Sequence, residues 1–192
     1  MAGEPYIEGV ILAAGASSRA GTFKPALLIG NRSMIVRCIE GMEEICDRII
    51  VVGGNEFDRL RSLLEGIPKV ECLENSSWQK GMFTSVKAGL SLLKGDRFFV
   101  IPGDIPLVPS SVYRALLEIE AEIVIPSFQG RNGHPVCCSR AVISRILCEP
   151  DESSFRDVIR AIGFHTVHVD AEEILIDVDT LEDYEFVRRR FA

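Results

Sequence analysis

Short apolar segments of strand length alternate with amphipathic segments of helical length along this 192-residue chain. Residues 6–12, 48–54 and 97–101 are nearly continuous apolar runs, which are typical of strands buried on both faces. Residues 82–93 instead repeat apolar side chains at helical spacing. Strands that alternate with helices favour a mainly parallel sheet with helices on both faces. The sequence therefore predicts a three-layer α/β fold in a single domain over residues 1–192.

The charge and hydropathy of the chain disfavour two classes of partner. Its formal net charge is −7, which is a poor background for binding the phosphate backbone of nucleic acid. No apolar run reaches the roughly 18 residues that a membrane-spanning helix needs. The N-terminal residues lack the basic start and apolar stretch of a signal peptide. We expect a cytoplasmic protein that binds neither nucleic acid nor a membrane.

A loop rich in glycine and other small residues follows the first predicted strand, over residues 12–24. Small residues let backbone N–H groups approach a phosphate chain closely, and Arg19 and Lys24 supply positive charge. The loop lacks the G-K-[ST] ending of a P-loop and the G-x-G-x-x-G of a dinucleotide site. It predicts a binding site for nucleotide phosphates; the alternative is a surface turn that carries two cations.

Two later loops of the chain carry aspartates that could bind a metal ion. Asp104 comes directly after a predicted strand, where it is well placed to hold Mg²⁺; it could otherwise be a turn residue bonded to its own backbone. Asp179 is the favoured second ligand and Asp177 its rival, although Asp179 could simply be a charge at a helix N-terminus. Because ligands bind beyond the carboxyl ends of strands in open α/β sheets, we expect these loops to converge.

Five motifs, in order along the chain, resemble nucleotidyltransferases related to molybdenum cofactor cytidylyltransferase. They are L-A-A-G-A-S-S-R-A-G-T-F-K from Leu12, G-M-F-T-S-V-K-A-G-L from Gly81, G-D-I-P from Gly103, G-H-P-V from Gly133 and D-V-D-T-L-E-D-Y from Asp177. One departure is Ala20, which stands where the family usually has methionine. The resemblance spans nearly the whole chain and implies a Rossmann-like nucleotidyltransferase fold with Mg²⁺ as cofactor.

The resemblance also implies roles for individual residues. It makes Arg19, Lys24 and Asp104 catalytic and Asp104 a metal ligand, with Asp179 the favoured second ligand and Asp177 still its rival. The implied nucleotide-binding residues are Leu12, Ala13, Ala14, Gly15, Ser17, Ser18, Arg19, Lys24, Gly81, Ser85 and Gly103. The implied acceptor-binding residues are Gly133, His134 and Pro135. Two alternatives stay open: Ser85 could serve close helix packing, and His134 could be an ordinary loop residue.

The implied reaction is attack by a phosphate oxygen of an acceptor on the α-phosphorus of a nucleoside triphosphate. We favour CTP because Ala14 stands where related guanylyltransferases tend to have glycine, and molybdopterin as acceptor. A molybdoenzyme or its maturation factor is then a candidate protein partner. The alternatives are a cytidylyl-, uridylyl- or guanylyltransferase that acts on another acceptor such as a sugar phosphate, and a non-catalytic carrier of a nucleotide or pterin cofactor.

Overall fold

The computed structural model describes residues 5–15 and 23–190. The strands within these residues are β1 (Ile7–Ala13), β2 (Leu28–Ile29), β3 (Arg32–Ser33), β4 (Arg48–Gly53), β5 (Val70–Glu74), β6 (Arg97–Pro102), β7 (Ile123–Phe128), β8 (Arg131–Asn132), β9 (Val136–Ser139) and β10 (His165–His168). The α-helices are α1 (Met34–Met42), α2 (Phe57–Leu64), α3 (Met82–Leu90), α4 (Ser110–Leu117), α5 (Ile143–Cys148), α6 (Phe155–Ile162) and α7 (Leu181–Arg189). Each of these helices is too short or too polar to cross a membrane.

The central sheet has the strand order β10-β7-β9-β6-β1-β4-β5, with β8 paired to β7. The pairs β1–β4, β1–β6, β4–β5 and β7–β10 are parallel, whereas β9 is antiparallel to both β6 and β7. The connection from β7 to β9 is short and contains no helix, and a link of this kind joins antiparallel neighbours. The predicted mainly parallel α/β sheet is confirmed, with β9 as its antiparallel interruption.

Helices cover both faces of the sheet. On β1, Ile11 packs with residues of α1, α2 and α4, while Val10 and Leu12 pack with residues of α3, α5 and α6. Successive strand residues point to opposite faces, so each buried strand supplies both cores. The predicted three-layer arrangement is confirmed. Helix α7 packs against β2 through a separate small cluster that includes Ile29 and Val187.

Candidate active site

A small pocket of about 170 Å³ lies at the carboxyl ends of β1 and β6. These strands are parallel neighbours, so the loops that follow them meet at one edge of the sheet. The N–H of Gly103 donates to the carbonyl oxygen of Leu12 at 2.9 Å, which joins the two loops. The pocket is lined by Leu12, Ala13, Gly15, Lys24, Pro25, Met34, Gly103, Asp104 and Asp179. The three polar loops expected to converge therefore do so.

Two carboxylates face this pocket. Burial raises the pKa of Asp104, and the negative charge of Asp179 raises it further. The N–H of Val178 donates to the carbonyl oxygen of Asp104 at 2.8 Å, which brings the segment carrying Asp179 to the end of β6. Asp177 is exposed and does not line the pocket. Of the two rival second ligands, Asp179 is therefore the one that lines the pocket with Asp104, although the charge of Asp177 also raises the pKa of Asp104 to a smaller degree.

The segment that carries Asp179 is fixed by the start of α7. The hydroxyl of Thr180 accepts a hydrogen bond from the N–H of Asp183, and the Asp183 carboxylate accepts one from the N–H of Thr180. The same carboxylate also accepts from the N–H of Asp179 at 3.1 Å. This reciprocal capping holds the backbone of Asp179. Its side chain stays 56% exposed and so remains accessible to a ligand.

Lys24 extends its ammonium group to the same carboxylate. Its Nζ lies 3.2 Å from Oδ1 of Asp179 and 3.1 Å from the carbonyl oxygen of Val178. Lys24 begins a short 3₁₀ turn, and the preceding Phe23 is buried in the core with the Arg59 guanidinium 4.6 Å from its ring centre. The buried ring anchors the turn, so Lys24 is held over the pocket rather than left on a free loop.

A larger cleft of about 790 Å³ lies on the other side of the end of β6, where Pro102 lines it. Three segments form most of its remaining walls: the start of α3, the β8–β9 region, and the residues around the start of α6. Ile125 of β7 and Phe164, which follows α6, complete the lining. Of the predicted site residues, Gly81, Gly133 and His134 line this cleft, whereas Pro135 is buried behind it. Gly133 packs directly on the main chain of Ile174, where a side chain would not fit.

The cleft combines an uncharged imidazole with cationic side chains. Nδ1 of His134 is buried and has no hydrogen-bond partner among residues 5–15 and 23–190. Burial, reinforced by the charge of Arg156, lowers the pKa of His134 to about 4, so the ring is neutral at pH 7. Lys80, Arg156 and Arg160 also line the cleft, together with the carboxylates of residues 151 and 152. A ligand with anionic and hydrogen-bonding groups would find partners here in an otherwise acidic protein.

A buried polar cluster, which the sequence did not reveal, fixes the loop before α3. Nδ2 of Asn75 donates to the hydroxyls of Thr84 and Ser85 at 2.8 and 2.9 Å. Ser85 is only 1% exposed, so its side chain supports the loop from inside. Trp78 of this loop packs on Gly54, whose backbone in turn lies close to the carbonyl oxygen of Ala14. Asn75 had no recognisable signal, since it stands in an ordinary polar stretch.

The remaining predicted residues are placed as follows. Ala14 is 7% exposed and lies beside the pocket between Ala13 and Gly15. Ser17, Ser18 and Arg19 lie outside the described residues, so their proposed contacts stay predictions.

No group of three or more His, Cys, Asp or Glu that could hold a metal occurs within residues 5–15 and 23–190. Two carboxylates nevertheless suit Mg²⁺, which usually keeps several waters and binds substrate phosphates.

A family model described as the MobA-like NTP transferase domain matches residues 9–168. The chain belongs to this family. The predicted resemblance and the predicted nucleotidyltransferase class are therefore confirmed. The family match includes most of β1, all of β6 and every residue that lines the larger cleft. It also includes the lining of the small pocket except Asp179, which lies beyond residue 168.

Three relatives illustrate the range of similar proteins. The molybdenum cofactor cytidylyltransferase of Escherichia coli is 25% identical over 187 residues, which cover 97% of each chain. A probable molybdenum cofactor guanylyltransferase of Natranaerobius thermophilus is 29% identical over 131 residues, covering 65% of this chain and 62% of that protein. The crystal structure of Rv0371c from Mycobacterium tuberculosis matches with a TM-score of 0.82 at 23% identity, covering 96% of this chain and 98% of that one. A further structure of Rv0371c is a complex with manganese and has a TM-score of 0.77.

Proposed function

We propose that this single-domain protein is a Mg²⁺-dependent CTP:molybdenum cofactor cytidylyltransferase that forms molybdopterin cytosine dinucleotide and pyrophosphate. One observation carries the proposal: the small pocket with Lys24, Asp104 and Asp179 adjoins the larger cleft at the end of β6. Gly103 lines the first and Pro102 the second. Nucleotide phosphates in the pocket and an acceptor in the cleft would thus meet at one place.

The chemistry needs positioning and charge stabilisation more than a covalent intermediate. An oxygen of the acceptor phosphate attacks the α-phosphorus of CTP, and the bond from the α-phosphorus to the bridging oxygen breaks to release pyrophosphate. The backbone of residues 13–15 approaches the triphosphate, and Lys24 neutralises charge that develops on it. Arg19 is proposed to add a second positive charge.

The carboxylates of Asp104 and Asp179 are the proposed metal ligands. They are hard oxygen donors, and each carries negative charge that a nearby cation would stabilise, as the raised pKa of Asp104 indicates. Bound Mg²⁺ would supply electrostatic stabilisation of the phosphate charge. The manganese complex of Rv0371c supports a divalent ion in a protein of this fold.

The larger cleft is the proposed acceptor site. Its volume of about 790 Å³ lies within the range of small-molecule pockets, roughly 300–1,000 Å³. Apolar side chains such as Phe155 and Phe164 could cover a flat ring, while Arg156 and Arg160 offer charge to an anionic group. His134 offers a buried ring nitrogen that a polar ligand atom would satisfy. This combination fits a phosphate-bearing pterin.

CTP is the favoured nucleotide because Ala14 stands where related guanylyltransferases tend to have glycine, and a methyl group there would narrow the space that a base approaches. Ala14 is buried beside the small pocket, so we propose that it acts through the shape of the loop. The end-to-end similarity to a cytidylyltransferase supports the same choice. The guanylyltransferase relative keeps GTP as the main rival, and sugar phosphates remain alternative acceptors.

A non-catalytic carrier is disfavoured, since it needs neither Lys24 nor Asp104. Use of a nucleoside triphosphate fits the cytoplasmic location that we propose, with a molybdoenzyme or its maturation factor as recipient.

The test is a panel of CTP, GTP, UTP and ATP against molybdopterin carrying molybdenum and against sugar phosphates, with pyrophosphate release as the readout. We expect release that requires CTP, the molybdopterin acceptor and Mg²⁺ together. Release with a sugar phosphate but not with molybdopterin would replace the acceptor assignment. The absence of pyrophosphate release from every pair, in a protein that still binds nucleotide, would favour the carrier.

A further inference from the structure

The segment between α5 and α6, residues 149–154, forms one wall of the larger cleft. Four consecutive residues of this segment, 151–154, line the cleft. The segment buries little: Glu149, Pro150, Glu152 and Ser154 are all exposed. Its internal support is a turn in which the N–H of Ser153 donates to the carbonyl oxygen of Pro150 at 3.1 Å. Segments with few buried contacts open easily, so this wall needs support from elsewhere.

That support comes from Lys87 on α3. Its Nζ donates to the carbonyl oxygen of Glu149 and to Oδ1 of Asp151, each at 2.9 Å. In the described part of the chain, these are the hydrogen bonds that join residues 149–154 to an element other than α5 and α6. The Lys87 side chain is only 23% exposed. Its hydrogen bond also lowers the pKa of Asp151.

Helix α3 supplies the facing part of the cleft as well. Its first residues, Met82 and Phe83, line the cleft together with Gly81. Lys87 itself does not line the cleft and lies further along the same helix. The lysine therefore joins two walls of one binding site from behind, and it acts on a ligand only through the segment it holds.

We propose that Lys87 is a positioning residue for the acceptor substrate, because its ammonium group holds residues 149–154 against α3 and so fixes one wall of the acceptor cleft. The acceptor's identity rests on the proposed function. The tie, by which we mean the two hydrogen bonds from Lys87 to residues 149 and 151, does not. If the wall is in place in only a fraction of molecules, the apparent affinity for the acceptor falls by that fraction. No residue of this segment lines the small pocket, where we propose that the triphosphate binds, so CTP binding should not change.

The kinetic test compares Lys87→Met, which keeps the aliphatic stem, with Lys87→Arg, which keeps a charged donor. We expect Lys87→Met to raise the acceptor KM about three- to tenfold, because it removes two charge-assisted hydrogen bonds that are partly open to solvent. The KM for CTP and kcat at saturating acceptor should stay within about twofold, and Lys87→Arg should recover part of the loss. Lys94→Met is the matched control, since Lys94 is exposed at the opposite end of the sheet.

Asp151→Asn should raise the acceptor KM in the same direction, and the double variant should be no worse than Lys87→Met, because both changes break one tie. An unchanged acceptor KM would overturn the proposal. A comparable fall in kcat and rise in the KM for CTP would also overturn the proposal, because it would indicate a general structural role.

A measurement without any ligand separates this inference from the proposed function. Amide hydrogen exchange in residues 149–154 should be about three- to tenfold faster in Lys87→Met than in the parent or in Lys94→Met. Unchanged exchange would refute the tie whatever the enzyme does. Faster exchange in a protein whose parent form releases no pyrophosphate with any acceptor would uphold the tie and refute the proposed function instead.

Discussion

Replacing Lys24 with alanine should slow nucleotide transfer by about 10²–10³-fold while leaving the protein folded. In the structure, the Lys24 side chain is 21% exposed, so it lies between water and a dry interior. At an effective dielectric constant of about 20, two unit charges 4 Å apart have an interaction energy of about 4 kcal/mol. Measured losses of one preorganised contact to a developing charge are about 3–4 kcal/mol, which gives the same range.

The cost to folding should be much smaller. Lys24 pairs with Asp179, whose side chain is 56% exposed, and exposed ion pairs contribute roughly 0.2–1 kcal/mol. The neighbouring Phe23 keeps its place in the core. Thermal unfolding of Lys24→Ala should therefore resemble that of the parent.

The assay is steady-state pyrophosphate release with CTP and the acceptor, with Lys94→Ala as the control for loss of a lysine far from the pocket. We expect the control to keep parental kcat. If a folded Lys24→Ala enzyme turned over within about threefold of the parent, the electrostatic role of Lys24 would be refuted.

Three further predictions follow from the pocket and the cleft. Asp104→Asn should lower activity by about a hundredfold and raise the Mg²⁺ concentration needed for half-maximal rate. If the variant requires the same Mg²⁺ concentration as the parent, Asp104 is not the metal ligand. Ala14→Gly should lower the ratio of kcat/KM for CTP over GTP by about tenfold, and an unchanged ratio would remove Ala14 from base selection. Since the pKa of His134 is lowered to about 4 from 6.5, the folded protein should lose up to about 3 kcal/mol of stability as pH falls through this window. Chemical denaturation should show a flatter pH profile for His134→Asn, and identical profiles would contradict the burial argument.

The layer structure was predictable because burial on both faces leaves a strong mark on a strand. The runs in β1, β4 and β6 are almost wholly apolar, and each of these strands has a neighbouring strand on both sides. The position of β9 between β6 and β7 was not predictable, since a short apolar strand carries no sign of its neighbours or its direction. Strand order depends on packing between distant segments.

The small pocket was predictable in outline and not in detail. The loops after β1 and β6 carried polar residues at strand ends, where sites form in such sheets. The segment that carries Asp177 and Asp179 reaches the pocket through the hydrogen bond between Val178 and Asp104, which no local pattern encodes. The tie between Lys87 and Asp151 is of the same kind, because it joins residues 64 positions apart.

The buried cluster around Asn75 shows a different limit. Ser85 was predicted to bind nucleotide from its place in a motif, whereas its hydroxyl accepts a hydrogen bond from Asn75 inside the protein. Motif position indicates that a residue lies near a site, and only the fold tells which way its side chain points. Nucleotide binding by Ser85 stays a prediction, and the geometry favours a supporting role.

The most direct test of the account is the fate of a label in the α-phosphate of CTP, followed with molybdopterin carrying molybdenum as acceptor and with GTP as competitor. The account predicts that the label appears in a dinucleotide product, in step with unlabelled pyrophosphate, and that kcat/KM is higher for CTP than for GTP. Equal or greater efficiency with GTP, or label that never reaches the acceptor, would contradict it.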